Sequence, residues 1–315
     1  MSTAWYTLLG LFFATYFVLG GYDYGTGLLL ARARTARERR AMLTAVGPFF
    51  LGNEVWLVAA VGILFGAFPL LEGELLSGLY PAVAVALAAV LTVTASVQLR
   101  SRPASERAKH AWDRVIIVSS TVAAFAWGAV LAGLLQGVPG PVLTSFVLVS
   151  GLAFVALVAT HGAAFLALRL PEEGFDKIGR NLIPLALAAV GAATVAGLLS
   201  SRVRGHAHRP GVVIAGLALL ILGLMVARVT LGRRNGVAFA ATSLTLAVPV
   251  LLVGATLWPF SPVTGLTVAD AAASGPTLRL LSWLAAPLLP ALLGFQAMCW
   301  WAFRGRIDDR APVYW

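Results

Sequence analysis

Along the chain, long apolar runs alternate with short polar connections that hold most of the charge. A helix needs about 20 consecutive apolar residues to cross a bilayer core. Nine runs reach that length, at roughly 5 to 31, 45 to 71, 79 to 99, 115 to 138, 144 to 168, 182 to 200, 211 to 231, 237 to 260 and 279 to 303, each end placed to within about 2 to 4 residues. The pattern predicts an all-α integral membrane protein, a single polytopic membrane domain over residues 1–315, with about nine transmembrane helices in bundles. The longest remaining connection, Ser261 to Leu278, reads as a loop from its Pro, Gly and Ser content. The N-terminus has no basic leader, and its first apolar run is too long for a signal-peptide core, so it is expected to stay as a helix.

The connections also predict an orientation. Of the 23 Lys and Arg, all but Arg202, Arg204, Arg209 and Arg279 fall on one side of the alternation. Basic loops resist translocation, so that side is expected to be cytoplasmic, with the N-terminus outside and the C-terminus inside. The segment 201–210 is the one dissenting loop.

Composition agrees. Of 315 residues, 59% are hydrophobic and 11% charged, against about 25% charged in a soluble domain. A soluble enzyme and a disordered segment are both excluded. The net charge of +10 is accounted for by the basic loops, so no nucleic-acid role is called for. The lone Cys299 rules out a disulfide framework, and no Cys or His spacing suggests a zinc site.

Candidate chemistry begins with two acids. Asp23 and Glu54 lie well inside apolar runs, with no Lys or Arg at comparable depth. An isolated carboxylate in hydrocarbon costs several kcal/mol, so each is expected to be protonated or wetted. At 1.5 Å per residue both fall roughly 12 to 14 Å from the cytoplasmic helix ends. They could form two stations of a proton path, or serve as polar glue between helices. Gly21 with Gly25, and Gly62 with Gly66, have the small-xxx-small spacing that lets helices approach. His161 is the histidine inside an apolar run; a hydrogen bond to a neighbouring helix is the expected role, a haem ligand the alternative. Tryptophans 5, 258, 283, 300, 301 and 315 lie mostly near helix ends, as an interfacial belt would place them. Gln136 suits either a quinone carbonyl or a helix end.

Several blocks together resemble one family, subunit II of the cytochrome bd quinol oxidases. They are Gly-Tyr-Asp-Tyr-Gly at 21–25; Gly47-Pro48 followed by Gly52-Asn53-Glu54-Val55-Trp56-Leu57; Leu134-Leu135-Gln136-Gly137-Val138-Pro139; and the last apolar run from Thr277 to Ile307. They occur in family order from end to end. The resemblance implies nine helices in a bacterial plasma membrane and a haem-free chain beside a larger subunit I that carries haem b and haem d. Such a complex oxidises membrane quinol and reduces oxygen to water. It also implies a role in proton delivery from the cytoplasm, with Asp23, Asn53 and Glu54 in the motifs concerned and Gly52 in the packing motif. Room remains for a structural quinone in this chain and for small accessory subunits. One departure stands out: Leu51 occupies a position where the family often has a carboxylate, and Glu54, about 60° away around the helix, is expected to take over. A proton-coupled secondary transporter is the alternative of a different class, though the inverted repeat such proteins usually carry is not evident. A purely structural scaffold would leave both acids replaceable.

Overall fold

Helix α1 (Ser2–Leu29) ends in a 3-10 turn, Leu30–Arg32. Helix α2 (Ala36–Ala67) starts where Thr35 and Glu38 form a reciprocal capping box, which satisfies two N–H groups of its first turn. It stops at Ala67 because Pro69 lacks an N–H and disfavours helical backbone at Phe68. The same proline opens α3 (Pro69–Gly78), where its missing donor costs nothing. The order continues with α4 (Tyr80–Leu99), α5 (Glu106–Gln136), α6 (Ser145–Arg169), α7 (Phe175–Leu199), α8 (Ser201–His206), α9 (Pro210–Thr230), α10 (Asn235–Leu257), α11 (Val268–Ala271) and α12 (Gly275–Ala302).

The computed structural model describes residues 1–100, 102, 105–171, 173–305 and 307. Among these, 9 helices are long and apolar enough to cross a membrane, and each coincides with one of the nine predicted runs. Arg306, Arg310 and Trp315, which entered the charge and tryptophan readings, lie outside the described residues.

The boundaries need three corrections. The run at 45 to 71 is two helices, broken at Phe68. Helices α2, α5 and α7 begin well before their apolar runs, at Ala36, Glu106 and Phe175. Polar first turns prolong them beyond the hydrocarbon, and for α5 the Ser105 side chain accepts from the Ala108 N–H. Finally, the loop after α10 holds α11 and the first turn of α12, and is pinned by Val138 N–H donating to Pro262 O at 2.9 Å.

Helices α1, α5, α6 and α10 form the centre, with α1 packed on all three of the others and on α2. The closest approach is between α1 and α6. A Cβ at Gly25 would sit against the Val158 carbonyl and the Gly162 backbone, and one at Gly162 against the Gly25 backbone, so only glycines allow this crossing. Helix α12 lies mainly along α2 and reaches the centre through Trp300, whose ring stacks on Phe49 at 4.8 Å. At the arginine-rich end, buried Asp113 on α5 pairs with Arg100 and lies 3.6 Å from both Arg39 and His110. Arg169 donates to the carbonyls of Phe303 and Gly305, fastening the end of α12 to α6.

Candidate functional site

The site forms where α1, α2 and α12 meet. Asp23 is 5% exposed, and its Oδ2 accepts a hydrogen bond from Asn53 Nδ2 at 2.8 Å. The same amide also donates to the Tyr22 hydroxyl at 2.7 Å. Its carbonyl accepts from Gln296 Nε2 at 3.4 Å, and Gln296 Oε1 accepts from the Trp56 indole N–H at 3.2 Å. A directed series of donors therefore runs from Trp56 through Gln296 and Asn53 to the Asp23 carboxyl. Adjacent peptide planes put Tyr22 and Asp23 about 100° apart on α1. Hence Tyr22 enters an aromatic cluster, stacked on Phe165 at 4.3 Å, while Asp23 faces the amide of α2.

Glu54 follows Asn53 and so turns to another side of α2. It is half-buried, and its Oε1 accepts from the Thr94 hydroxyl of α4. The structure thus brings Asp23 and Asn53 into contact and gives Glu54 a separate partner. Leu51 is 55% exposed on the face of α2 that the rest of the chain leaves uncovered. Beside Gly20 on α1, the Tyr24 and Tyr16 hydroxyls are hydrogen-bonded to each other, and Tyr16 meets the Trp127 ring edge-on at 5.7 Å.

The glycines divide. Beside Gly25, Gly21 faces Leu246 and His161, so it lies on the packed side of α1. A Cβ on Gly52 would come 3.3 Å from Phe295, and one on Gly66 3.3 Å from Leu281, both on α12. Gly62 does not share this role: a Cβ there meets nothing within 4 Å among the described residues, because that face of α2 looks away from the chain.

His161 is fully engaged. Its Nε2 lies 3.0 Å from the Val18 carbonyl and its Nδ1 2.8 Å from the Thr242 hydroxyl, with Phe239 stacked on the ring at 5.0 Å. A neutral ring that donates to the carbonyl and accepts from the hydroxyl satisfies both atoms. With both nitrogens occupied, His161 does not fit an axial haem ligand. No group of 3 or more His, Cys, Asp or Glu suited to a metal occurs among the described residues. Gln136 is also engaged, donating to the Thr144 hydroxyl that caps α6, at 2.9 Å.

Sequence reading missed Gln296 and Trp56, because a polar residue in an apolar helix gives no sign of which distant helix it meets. It also placed Trp5 and Trp300 in the interfacial belt. Trp5 is buried in a cluster with Phe68 and Leu71, and Trp300 belongs to the aromatic cluster around Tyr22. The density of aromatic positions at 49, 165, 239 and 300 was the available signal. Trp283 and Trp301 do lie exposed on α12.

In the opposite half of the bundle lies a cavity of about 700 Å³. Its walls are mostly apolar, with polar side-chain atoms from Thr3, Tyr6, Thr7, Trp127, Arg209 and Trp258. The Arg209 guanidinium sits 4.7 Å from the centre of the Trp258 ring.

Comparison with known proteins follows the same outline. Residues 1–303 match the family described as cytochrome bd terminal oxidase subunit II. Subunit 2 of the cytochrome bd-I ubiquinol oxidase of Escherichia coli K12 is 28% identical, with 96% of this chain and 94% of that protein covered. Subunit 2 of the cytochrome bd ubiquinol oxidase of Bacillus subtilis 168 is 26% identical, covering 98% and 97%. A chain from the solved bd oxidase of Geobacillus thermodenitrificans shares the fold with a TM-score of 0.73 at 17% identity, over 96% of this chain and 98% of that one. None of these relatives supports the transporter alternative. From the match over 1–303, the chain belongs to the cytochrome bd terminal oxidase subunit II family, and is a multi-pass plasma-membrane subunit of a quinol-oxidising, oxygen-reducing complex.

Proposed function

We propose that this subunit delivers protons from the cytoplasm to the oxygen chemistry of its partner, with Asp23 as the buried carrier and Asn53 and Glu54 beside it. One observation carries this reading: among the described residues Asp23 sits deep in the bundle without a cationic partner, one oxygen held by Asn53 and the other without a hydrogen-bond partner. A carboxyl kept in that state at such depth is retained at a cost of several kcal/mol, which is how proton carriers in membranes are recognised. The excess of Lys and Arg at the Asp113 end argues that this end faces the cytoplasm.

Cytochrome bd oxidases are haem-containing complexes that act with a partner subunit and membrane quinol. In our reading haem b and haem d lie in the partner, since His161 has no nitrogen to offer. The partner then covers the face formed by α12 and the exposed side of α2. Helix α12 has a single principal neighbour in this chain, and Trp283 on it is 80% exposed. Behind that face, Gln296 turns from α12 inward to Asn53 and Trp56, and half-buried Glu54 on α2 is bonded to Thr94. Leu51 opens on that face, and in this reading Glu54, three residues along, supplies the carboxylate that Leu51 lacks. A structural quinone would suit the apolar cavity, its tail among Leu64, Leu75 and Val130 and its polar head toward Tyr6 and Arg209.

The test is Asp23→Asn and Glu54→Gln in the purified complex. Oxygen consumption should fall by about a hundredfold for Asp23→Asn, and less for Glu54→Gln, with the haem spectrum intact. Wild-type turnover in the first variant removes Asp23 from the path, and in the second removes Glu54.

A further inference from the structure

Asp23 is not the last unsatisfied group toward the basic end. Among the described residues, Asp23 Oδ1, Thr26 Oγ1, Ser120 Oγ and Ser96 Oγ are all buried without a hydrogen-bond partner. A lone buried polar atom costs about 1 to 3 kcal/mol. Four of them, spread over the neighbouring helices α1, α5 and α4, are better explained by internal water, which usually serves such groups.

Their order along the membrane normal follows from three helices. The Arg100–Asp113 ion pair fixes the register of α4 against α5. From that level, Ser96 stands four residues up α4 and Ser120 seven residues up α5, about 6 and about 10 Å. Ser120 in turn meets α1: a Cβ on Gly27 would collide with its hydroxyl and would come 3.2 Å from Ile116. Thr26 is the neighbour of Gly27, and Asp23 lies one turn beyond it, about 4.5 Å farther from the ion pair. Measured along the helix axes, successive rises are therefore about 6 Å or less, the span of a single water that bridges two oxygens through hydrogen bonds of about 2.8 Å each, and further waters would cover the sideways separation between helices. Gly27 also acquires a purpose, since any larger residue would displace the Ser120 hydroxyl from this line.

We propose that Ser96, Ser120 and Thr26 line a water file leading from the Asp113–Arg100 ion pair to Asp23. Each hydroxyl accepts a proton from the water on the basic side and passes its own to the next water. One proton is thereby moved with no change in the number of bonds, and Asp23 Oδ1 receives it. The mouth lies beside half-exposed His110, next to Asp113. The inference rests on the reading of Asp23 as a carrier and names the residues that feed it.

The test uses the complete oxidase complex with Thr26→Val and Ser120→Ala combined, measuring oxygen consumption in H2O and in D2O alongside the haem spectrum. Turnover should drop by about tenfold, with a larger solvent isotope effect and unchanged haem content. Thr26→Ser, which keeps the hydroxyl, should run at the wild-type rate, as should Thr256→Val, a buried unpartnered hydroxyl far along α10. Wild-type turnover and isotope effect in the double variant overturn the proposal, and so does a slowing that tracks loss of haem. If Asp23→Asn is slow while the double variant is not, the file alone fails. If Asp23→Asn is itself silent, the carrier reading fails first.

Discussion

Helices α6 and α12 are similarly apolar, yet 72% of the membrane-spanning stretch of α6 is buried within the chain and only 6% of that of α12. In water such a difference would mark α12 as unstable. In a bilayer the lipid tails are as apolar as leucine, so burial reports packing partners rather than shelter from solvent. Helix α6 finds its partners inside the chain, through Gly162 against Gly25 and His161 against Val18 and Thr242. Helix α12 is held at one end by Arg169 and along one side by α2, which leaves its broad apolar surface for something outside the chain. The contrast separates a self-sufficient centre from a flank that this chain leaves open.

The contrast can be attacked first at the centre. Gly25→Leu places a side chain into the backbone of α6, where nothing can give way. Overpacking that backbone contact should cost more than about 3 kcal/mol, and the subunit should vanish from the membrane together with the haem d band. Normal amounts of complex would show that the crossing is looser than described. A smaller loss is expected for Arg169→Ala, which frees the Phe303 and Gly305 carbonyls. Charge-assisted hydrogen bonds of this kind contribute about 1.5 to 3 kcal/mol, so the melting temperature of the complex should fall while Gly25-type assembly failure is absent. An unchanged melting curve would mean that the partner, not Arg169, holds α12. Smallest of all is Gly62→Ala, with nothing within 4 Å of the new methyl. Stability should stay within about 0.5 kcal/mol, and a large loss would reveal that the partner presses on α2 at that point.

Most of the fold was legible because hydropathy in a bilayer is a strong constraint: with backbone groups forced to bond internally, each apolar run of sufficient length became a helix. The break at Phe68 was legible too, in Pro69, but the surrounding leucines masked it. Asp23 and Asn53 were singled out from depth and motif. Their partners Gln296 and Trp56 were not, since a hydrogen bond joining residues 53 and 296 depends on which helices become neighbours, and a periodic pattern carries no such information. The unpartnered hydroxyls of Thr26, Ser96 and Ser120 were passed over for a related reason. Small hydroxyl residues in membrane helices usually bond to their own helix, as Thr92 and Ser119 do here, and only the folded arrangement reveals which ones do not.

On the proposal that both haems lie in the partner, and with the imidazole of His161 committed at both ring nitrogens, a substitution in this chain would reach the visible absorption bands only through the contact between subunits. The colour of the assembled complex then serves as a gauge of fit: a band that shifts when this chain is altered measures distortion handed across a seam, not an iron ligand taken away.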